Sequence, residues 1–134
     1  MIAMLVSTTG KVKRDFKQNV LTDNKDKVIT VWNVSYEIRS KEITGTIEAN
    51  YLTHQSEADV TPELIRGFAE FQGTIDGKQG SFTAQEDGRV QNNILKINGR
   101  IIDVSEELSM LVGRYDYDGI LSESVYEINF DIEF

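Results

Sequence analysis

The side chains in this sequence that could carry chemistry are one glutamate and a set of aromatic residues on the apolar faces of predicted strands. Glu86 follows Phe82 and Ala84 at every second position, so it shares their inward face. A carboxyl group on that face would tend to have a raised pKa through desolvation. The candidate ligand-binding residues are Trp32, Tyr36, Tyr51, Phe71, Phe82, Glu86 and Tyr126.

These residues allow two interpretations, which the sequence leaves open. Apolar walls with a few polar tips are typical of small-ligand pockets. A barrel core filled by its own side chains has the same composition, and Glu86 could equally lie in solvent at the end of its strand. The glycines on the apolar faces carry the same ambiguity, because they either permit bending or leave space inside. They are Gly45, Gly67, Gly73 and Gly99.

The composition excludes several kinds of site. The 134 residues include no Cys and one His, which excludes thiolate nucleophiles, Cys-ligated metals and multi-histidine metal sites. The net charge is −8, and residues 103–134 alone carry nine acidic residues against Arg114. Such an acidic chain is a poor candidate for binding nucleic acid or an anionic membrane. We therefore predict no metal, no cofactor, no nucleic-acid or membrane partner, and a solvated acidic outer surface.

Three segments resemble known functional motifs, but none of them matches its motif well enough to predict a site. Residues 73–79 imitate a phosphate loop, but the spacing is one residue short and no Ser or Thr follows Lys78. Residues 116–119 resemble part of a calcium loop, but Arg114 and Val125 occupy ligand positions. His54 is interpreted as an exposed loop residue. No catalytic residue is predicted. The N-terminus does not resemble a signal peptide and no stretch approaches ~18 apolar residues, so a cytoplasmic location is expected.

Alternation of apolar and polar residues dominates the chain and predicts seven or eight antiparallel strands. Turns are predicted at Asp76-Gly77, at a second place marked by Asp87-Gly88 and residues 91–93, and at Asp118-Gly119. Residues 105–112 predict one short helical turn, capped by Ser105 and ended by Gly113. The expected fold is all-β, a single domain over residues 1–134. A closed barrel of about eight strands, shaped like a lipocalin, removes exposed strand edges, and a sandwich is the alternative.

Residues 73–82, GTIDGKQGSF, resemble the central signature of an uncharacterised bacterial family with an allene-oxide-cyclase-like barrel, roughly GTLxGRxGSF. The resemblance covers most of residues 30–132, and it implies a small antiparallel barrel with no known activity. In that family a Glu stands where this chain has Ala69, and a His where it has Glu86. If Ile75 pairs with Lys78, Ala69 faces Ala84 and Glu86 faces Gly67. The two family side chains then come close inside the lumen, within reach for acid–base chemistry. This chain lacks both, which lowers the expectation of such chemistry.

The leading functional hypothesis is a non-catalytic barrel that binds an apolar or aromatic small molecule in its lumen, or that acts as a homo-oligomeric structural module. The alternative is an isomerase or cyclase, by fold analogy with allene oxide cyclase. A third class is a protein that only makes interactions, through its polar strand faces. On the leading hypothesis, Glu86→Gln is expected to be silent in any assay of turnover. A large loss of turnover in this variant would overturn the non-catalytic hypothesis.

Overall fold

The computed structural model describes residues 3–24, 27–55 and 64–134, and gives only the backbone at residue 14, residues 16–24 and residue 27. The described chain forms eight strands and one 3-10 turn over Glu106–Leu108. The strands are β1 (Ala3–Asn24), β2 (Lys27–Arg39), β3 (Ile43–Gln55), β4 (Leu64–Ile75), β5 (Lys78–Gln91), β6 (Ile94–Val104), β7 (Val112–Ile120) and β8 (Val125–Glu133).

The strands form a closed antiparallel barrel in which each strand pairs with the next along the chain. β1 pairs with β8 from Ala3 opposite Glu133 to Lys11 opposite Val125, which closes the sheet. Closure gives each described strand a partner on both sides over part of its length, whereas β1 beyond Val12 pairs with β2 alone. The predicted all-β closed barrel of eight strands is confirmed, and the sandwich alternative is wrong.

The alternation in the sequence determines which side chains enter the barrel. Phe71 on β4 is fully buried, whereas Phe68 on the same strand is 58% exposed on the outer face. In the register of β4 and β5, Ile75 pairs with Lys78, Ala69 with Ala84 and Gly67 with Glu86, as the sequence predicted. A shift of one residue would move every inward side chain to the outside, so the apolar pattern fixes this register.

Two of the three predicted turns are confirmed. Asp76 and Gly77 have φ values of 49° and 80°, and Asn92 and Asn93 of 53° and 64°, as a two-residue hairpin turn requires. Asp87-Gly88 is not part of the second turn and the predicted turn at Asp118-Gly119 is wrong, because these residues lie within β5 and β7. Backbone pairing on both sides holds Asp87, Gly88 and Asp118 extended, and Gly119 pairs with β6. In β7 an inward tyrosine precedes the Asp-Gly pair.

The predicted helical turn is present but short. Only Glu106–Leu108 is helical, because Leu108 and Leu111 bury their side chains and Val112 already begins β7. The Ser105 side chain does not cap this turn. Its hydroxyl oxygen instead accepts a hydrogen bond from the Ser81 backbone N–H at 3.0 Å. The described residues contain no helix that is long and apolar enough to cross a membrane.

The two ends of the barrel differ in how they are filled. The plugged end carries the β2–β3 and β4–β5 turns and the 3-10 turn, whose Leu108 is buried. The cavity end carries the β5–β6 and β7–β8 turns. Fully or almost fully buried side chains fill the plugged half: Ile38, Ile43, Phe71, Ile75, Phe82, Leu108, Phe130 and Ile132.

Candidate functional site

Glu86 lies inside the barrel, on β5 between β4 and β6. Its side chain is fully buried, so the alternative that placed it in solvent at a strand end is wrong. Its cross-strand partners are Gly67 on β4 and Gly99 on β6. Neither partner has a side chain, and the Tyr115 ring occupies the space that a Cβ atom on Gly99 would need. At Gly99, therefore, the space left by the glycine is filled by an aromatic ring.

Four tyrosines surround this carboxyl group, and we call the five residues the carboxyl–tyrosine cluster. The Tyr51 hydroxyl donates to Oε1 of Glu86, and the Tyr115 hydroxyl donates to Oε2. The hydroxyls of Tyr36 and Tyr51 lie 3.4 Å apart, within hydrogen-bond distance. The Tyr117 hydroxyl is buried and makes no hydrogen bond within the described part of the chain. The cluster thus contains a continuous hydrogen-bond chain from Glu86 through Tyr51 to Tyr36.

Ring packing holds the cluster in place. The Tyr117 ring lies 4.9 Å from the Tyr36 ring and 5.5 Å from the Tyr115 ring, measured between centroids. Tyr115 also packs against Phe130 at 5.4 Å and Phe82 at 6.0 Å. Aromatic pairs at these distances attract one another beyond their area burial. The hydroxyl groups around Glu86 are therefore carried by rings that have little freedom to move.

The environment places the titration of Glu86 near neutral pH. Burial raises the pKa of Glu86 from 4.5 to about 7, and the hydrogen bonds from Tyr115 and Tyr51 partly oppose this rise. The pKa values of all four tyrosines are raised, first by burial and then by the negative charge of Glu86. The tyrosines therefore keep their protons, while Glu86 gains or loses one near neutral pH.

An apolar cavity of about 250 Å³ lies at the cavity end, directly beside the cluster. Tyr36 and Tyr51 are the cluster residues that line it. Val34, Ile65 and Ile97 are among its apolar walls. A larger depression of about 670 Å³ lies on the outer face of β4 to β6 among polar side chains. We regard the smaller cavity as the candidate site because it is mostly apolar and is lined by Tyr36 and Tyr51, whose hydroxyl groups connect to a buried carboxyl.

Several polar groups around this cavity already have partners within the protein. The Trp32 indole N–H donates to Oγ1 of Thr53 at 2.9 Å, and that hydroxyl donates to the Thr30 carbonyl at 3.3 Å. The Tyr126 hydroxyl donates to the Leu121 carbonyl at 3.4 Å. Asp15 also lines the cavity, and partial burial raises its pKa. The Tyr36 hydroxyl, by contrast, is bonded only to Tyr51 among the described groups, so it has capacity left for a ligand.

The structure divides the seven candidate residues between two environments. Trp32, Tyr36, Tyr51 and Tyr126 line the cavity, and Glu86 lies behind Tyr51. Phe71 and Phe82 stack on each other at 4.9 Å in the plugged half and do not line the cavity. The aromatic residues therefore belong partly to a packed core and partly to the lining of a cavity. One half is filled by its own side chains and the other contains a cavity.

Sequence reasoning missed Tyr115 and Tyr117. It interpreted residues 116–119 as a loop, whereas they belong to β7. A signal was present, because both tyrosines alternate with Arg114, Asp116 and Asp118. The interpretation of His54 was also wrong, since it lies within β3 and is partly buried. Among the described residues no group of His, Asp or Glu side chains is arranged to hold a metal ion.

Gly99→Ala tests whether the position of the Tyr115 ring requires a residue without a side chain at position 99. The added methyl group would overlap the ring, which Tyr117, Phe130 and Phe82 hold in place. We expect a loss of about 1–3 kcal/mol in the free energy of unfolding, measured by urea denaturation. The control is Asn98→Ala on the outer face of the same strand, which is expected to change stability by about 0.5 kcal/mol or less. Equal effects of the two substitutions would contradict the packing described here.

The fold and the site define a class of protein: a closed eight-stranded antiparallel barrel with a buried carboxyl–tyrosine cluster and an apolar cavity at one end. The sequence profile of the family described as "Protein of unknown function (DUF3224)" matches residues 8–131, and the chain belongs to this family. The predicted membership of an uncharacterised barrel family is thereby confirmed.

A solved structure supports the same fold. It is the crystal structure, at 1.84 Å resolution, of a protein of unknown function from the DUF3224 family of Shewanella oneidensis MR-1. It superimposes on this chain with a TM-score of 0.75 at 16% sequence identity, covering 98% of each chain. At this identity the likeness shows the fold alone. No curated protein matches the chain.

Proposed function

We propose that this protein binds a small, largely apolar molecule in the cavity, with one polar group of that molecule at the Tyr36 hydroxyl. The observation that carries the proposal is the apolar cavity of about 250 Å³ that ends on Tyr36 and Tyr51, with the buried Glu86 behind them. An apolar protein cavity of about 150 Å³ accommodates benzene. A five- or six-membered ring with a short substituent is therefore the size of ligand that we expect.

The buried carboxyl supports a binding role over a purely structural one. Burial of an ionisable group costs free energy even when hydrogen bonds satisfy it. An apolar side chain at position 86 would fill the barrel without that cost. A buried group with a perturbed pKa beside a cavity is the kind of arrangement that marks binding and active sites.

Val90→Phe tests the binding proposal, since Val90 is buried and lines the cavity. We expect small cyclic ketones and N–H heterocycles at millimolar concentration to raise the melting temperature of the wild type. The larger Phe side chain would occupy the cavity, and the ligand-induced shift is expected to disappear. Val112→Phe is the matched control, because Val112 is exposed at the plugged end. Absence of a shift in the wild type with every ligand, or an undiminished shift in Val90→Phe, would reject the proposal.

A second candidate function is an isomerase or cyclase that acts on a hydrophobic small molecule. The observation in its favour is that Glu86 titrates near neutral pH and connects to the cavity through hydroxyl groups. Glu86 does not itself line the cavity, so a proton would have to pass through Tyr51. Exchange of the α-hydrogens of a bound ketone into D₂O, followed by NMR, distinguishes the two functions. Catalysis would accelerate exchange and Glu86→Gln would abolish it, whereas simple binding gives no acceleration.

Assembly into a homo-oligomer stays a proposal of its own. Three large apolar side chains are exposed to solvent: Leu5 on β1, Phe68 on β4, and Met110 between the 3-10 turn and β7. Sedimentation velocity at micromolar concentration gives the oligomeric state directly. A monomer over the whole concentration range would reject the oligomer and leave the cavity proposal unaffected.

A further inference from the structure

We propose that the hydrogen-bond chain from Glu86 through Tyr51 to Tyr36 couples ligand choice in the cavity to protonation of Glu86. Protonated Glu86 favours an apolar ligand with a hydrogen-bond acceptor, such as a ketone. Ionised Glu86 favours a ligand with a donor, such as an N–H heterocycle. The inference rests on the proposed function, because it concerns the same cavity and names the chemistry of its ligands.

In the ionised state, Glu86 fixes the direction of every hydrogen bond in the chain. A carboxylate only accepts hydrogen bonds, so the single proton of the Tyr51 hydroxyl must point to Glu86. The contact between the Tyr36 and Tyr51 hydroxyls at 3.4 Å then has one possible direction, with Tyr36 as the donor. Tyr36 has no second proton. Its oxygen can therefore only accept a hydrogen bond from a ligand in the cavity.

Protonation of Glu86 allows the whole chain to reverse. A proton on Oε1 is donated to the Tyr51 oxygen, which frees the Tyr51 proton for Tyr36. Tyr36 then directs its own proton into the cavity. A proton on Oε2 would face Tyr115 instead, so an acceptor in the cavity selects the reversed arrangement. No atom has to move far, because only hydroxyl hydrogens rotate.

Among the other described groups that face Glu86 and the cavity, one further carboxyl could respond to pH. Glu86 is flanked on β4 and β6 by glycines, and its polar neighbours are tyrosines of β2, β3 and β7 that remain protonated. Tyr126 of β8 also has a raised pKa. Asp15 of β1 is the second described carboxyl at the cavity, and partial burial raises its pKa, so it needs its own control.

The test compares three small ring compounds at pH 5.5 and pH 8.5. Cyclopentanone offers only an acceptor, pyrrole offers an N–H donor, and benzene offers neither. Dissociation constants come from NMR titration, with the Trp32 indole signal as the reporter because Trp32 lines the cavity. We expect cyclopentanone to bind at least about fivefold more weakly at pH 8.5 than at pH 5.5, and pyrrole to change in the opposite direction. Benzene is expected to bind equally at both pH values.

Three variants identify the groups responsible. Glu86→Gln cannot change charge, so the binding of all three probes is expected to become independent of pH. Tyr36→Phe removes the hydroxyl at the cavity and is expected to abolish the opposite pH trends of cyclopentanone and pyrrole. Asp15→Asn is expected to retain those trends, and their loss would assign the switch to Asp15 and overturn the inference.

The binding results distinguish a failure of the pH coupling from a failure of ligand binding itself. If benzene binds while cyclopentanone and pyrrole show no pH dependence, the coupling is rejected and the binding function stands. Persistence of the pH dependence in Glu86→Gln also rejects the coupling alone. If none of the three probes binds at either pH, the proposed function is rejected and the coupling falls with it.

Discussion

Glu86→Gln is expected to remove a fall in folding stability that the wild type shows as the pH rises from about 4.5 to about 7. The Glu86 side chain is fully buried, and its pKa rises from 4.5 to about 7 in the folded barrel. In this pH range the folded protein holds a proton that the unfolded chain has already released. Proton release on unfolding makes the free energy of unfolding fall as the pH rises. The contribution is complete below pH 4.5 and lost above pH 7.

The size of this effect follows from the shift of the pKa. One pKa unit corresponds to about 1.4 kcal/mol, so the shift predicts a loss on the order of 3 kcal/mol across the range. Glutamine has nearly the same shape and no charge at any pH. The variant is therefore expected to be more stable than the wild type at pH 8 and to lose this advantage at pH 4.5. Glu86→Gln is thus not expected to be silent for stability, whatever it does to turnover.

Urea denaturation of both proteins at pH 4.5, 6 and 8 measures the effect. The other carboxyl groups also contribute to the pH dependence, so a matched control is needed. Glu70→Gln removes an exposed carboxyl on the outer face of β4, and its stability should follow the wild type at every pH. A constant difference in stability between Glu86→Gln and the wild type across the three pH values would contradict a raised pKa for Glu86.

The fold could be predicted because strand alternation is a local property of the chain. Tyr51 and Glu86 are 35 positions apart, yet each was placed on an inward face by its immediate neighbours. The Asp76-Gly77 turn then fixed the register of β4 and β5, and this register placed Glu86 opposite Gly67. The turn residues and the alternation of inward side chains were together sufficient to assign these residues to the correct strands and faces.

The composition of the cluster could not be predicted in the same way. The Asp-Gly dipeptide at position 118 has the same turn signal as that at position 76, and only pairing with β6 and β8 keeps it extended. Without β7, Tyr115 and Tyr117 were not assigned to the lumen. The division into a plugged half and a cavity depends on how Leu108 enters one end of the barrel, which strand alternation does not determine.

Phe71→Ala is expected to cause the largest loss of stability among the substitutions considered, about 3–5 kcal/mol in the free energy of unfolding. Phe71 is fully buried and stacks on Phe82 with the rings 17° from parallel. Truncation would remove the whole ring and leave a cavity that the closed sheet cannot collapse to fill. Phe68→Ala is the matched control on the same strand. Its ring is 58% exposed, so a loss of about 1 kcal/mol or less is expected.

The same pair of variants tests the division of the barrel into two halves. Phe71 belongs to the candidate ligand-binding residues by its inward position, but the structure places it in the plugged half, away from the lining of the cavity. Phe71→Ala, studied at a temperature where it is still folded, is therefore expected to bind cyclopentanone with the affinity of the wild type. A specific loss of binding, with the variant folded by circular dichroism, would show that the ligand reaches the plugged half. The stacked pair of Phe71 and Phe82 would then be part of the site rather than its support.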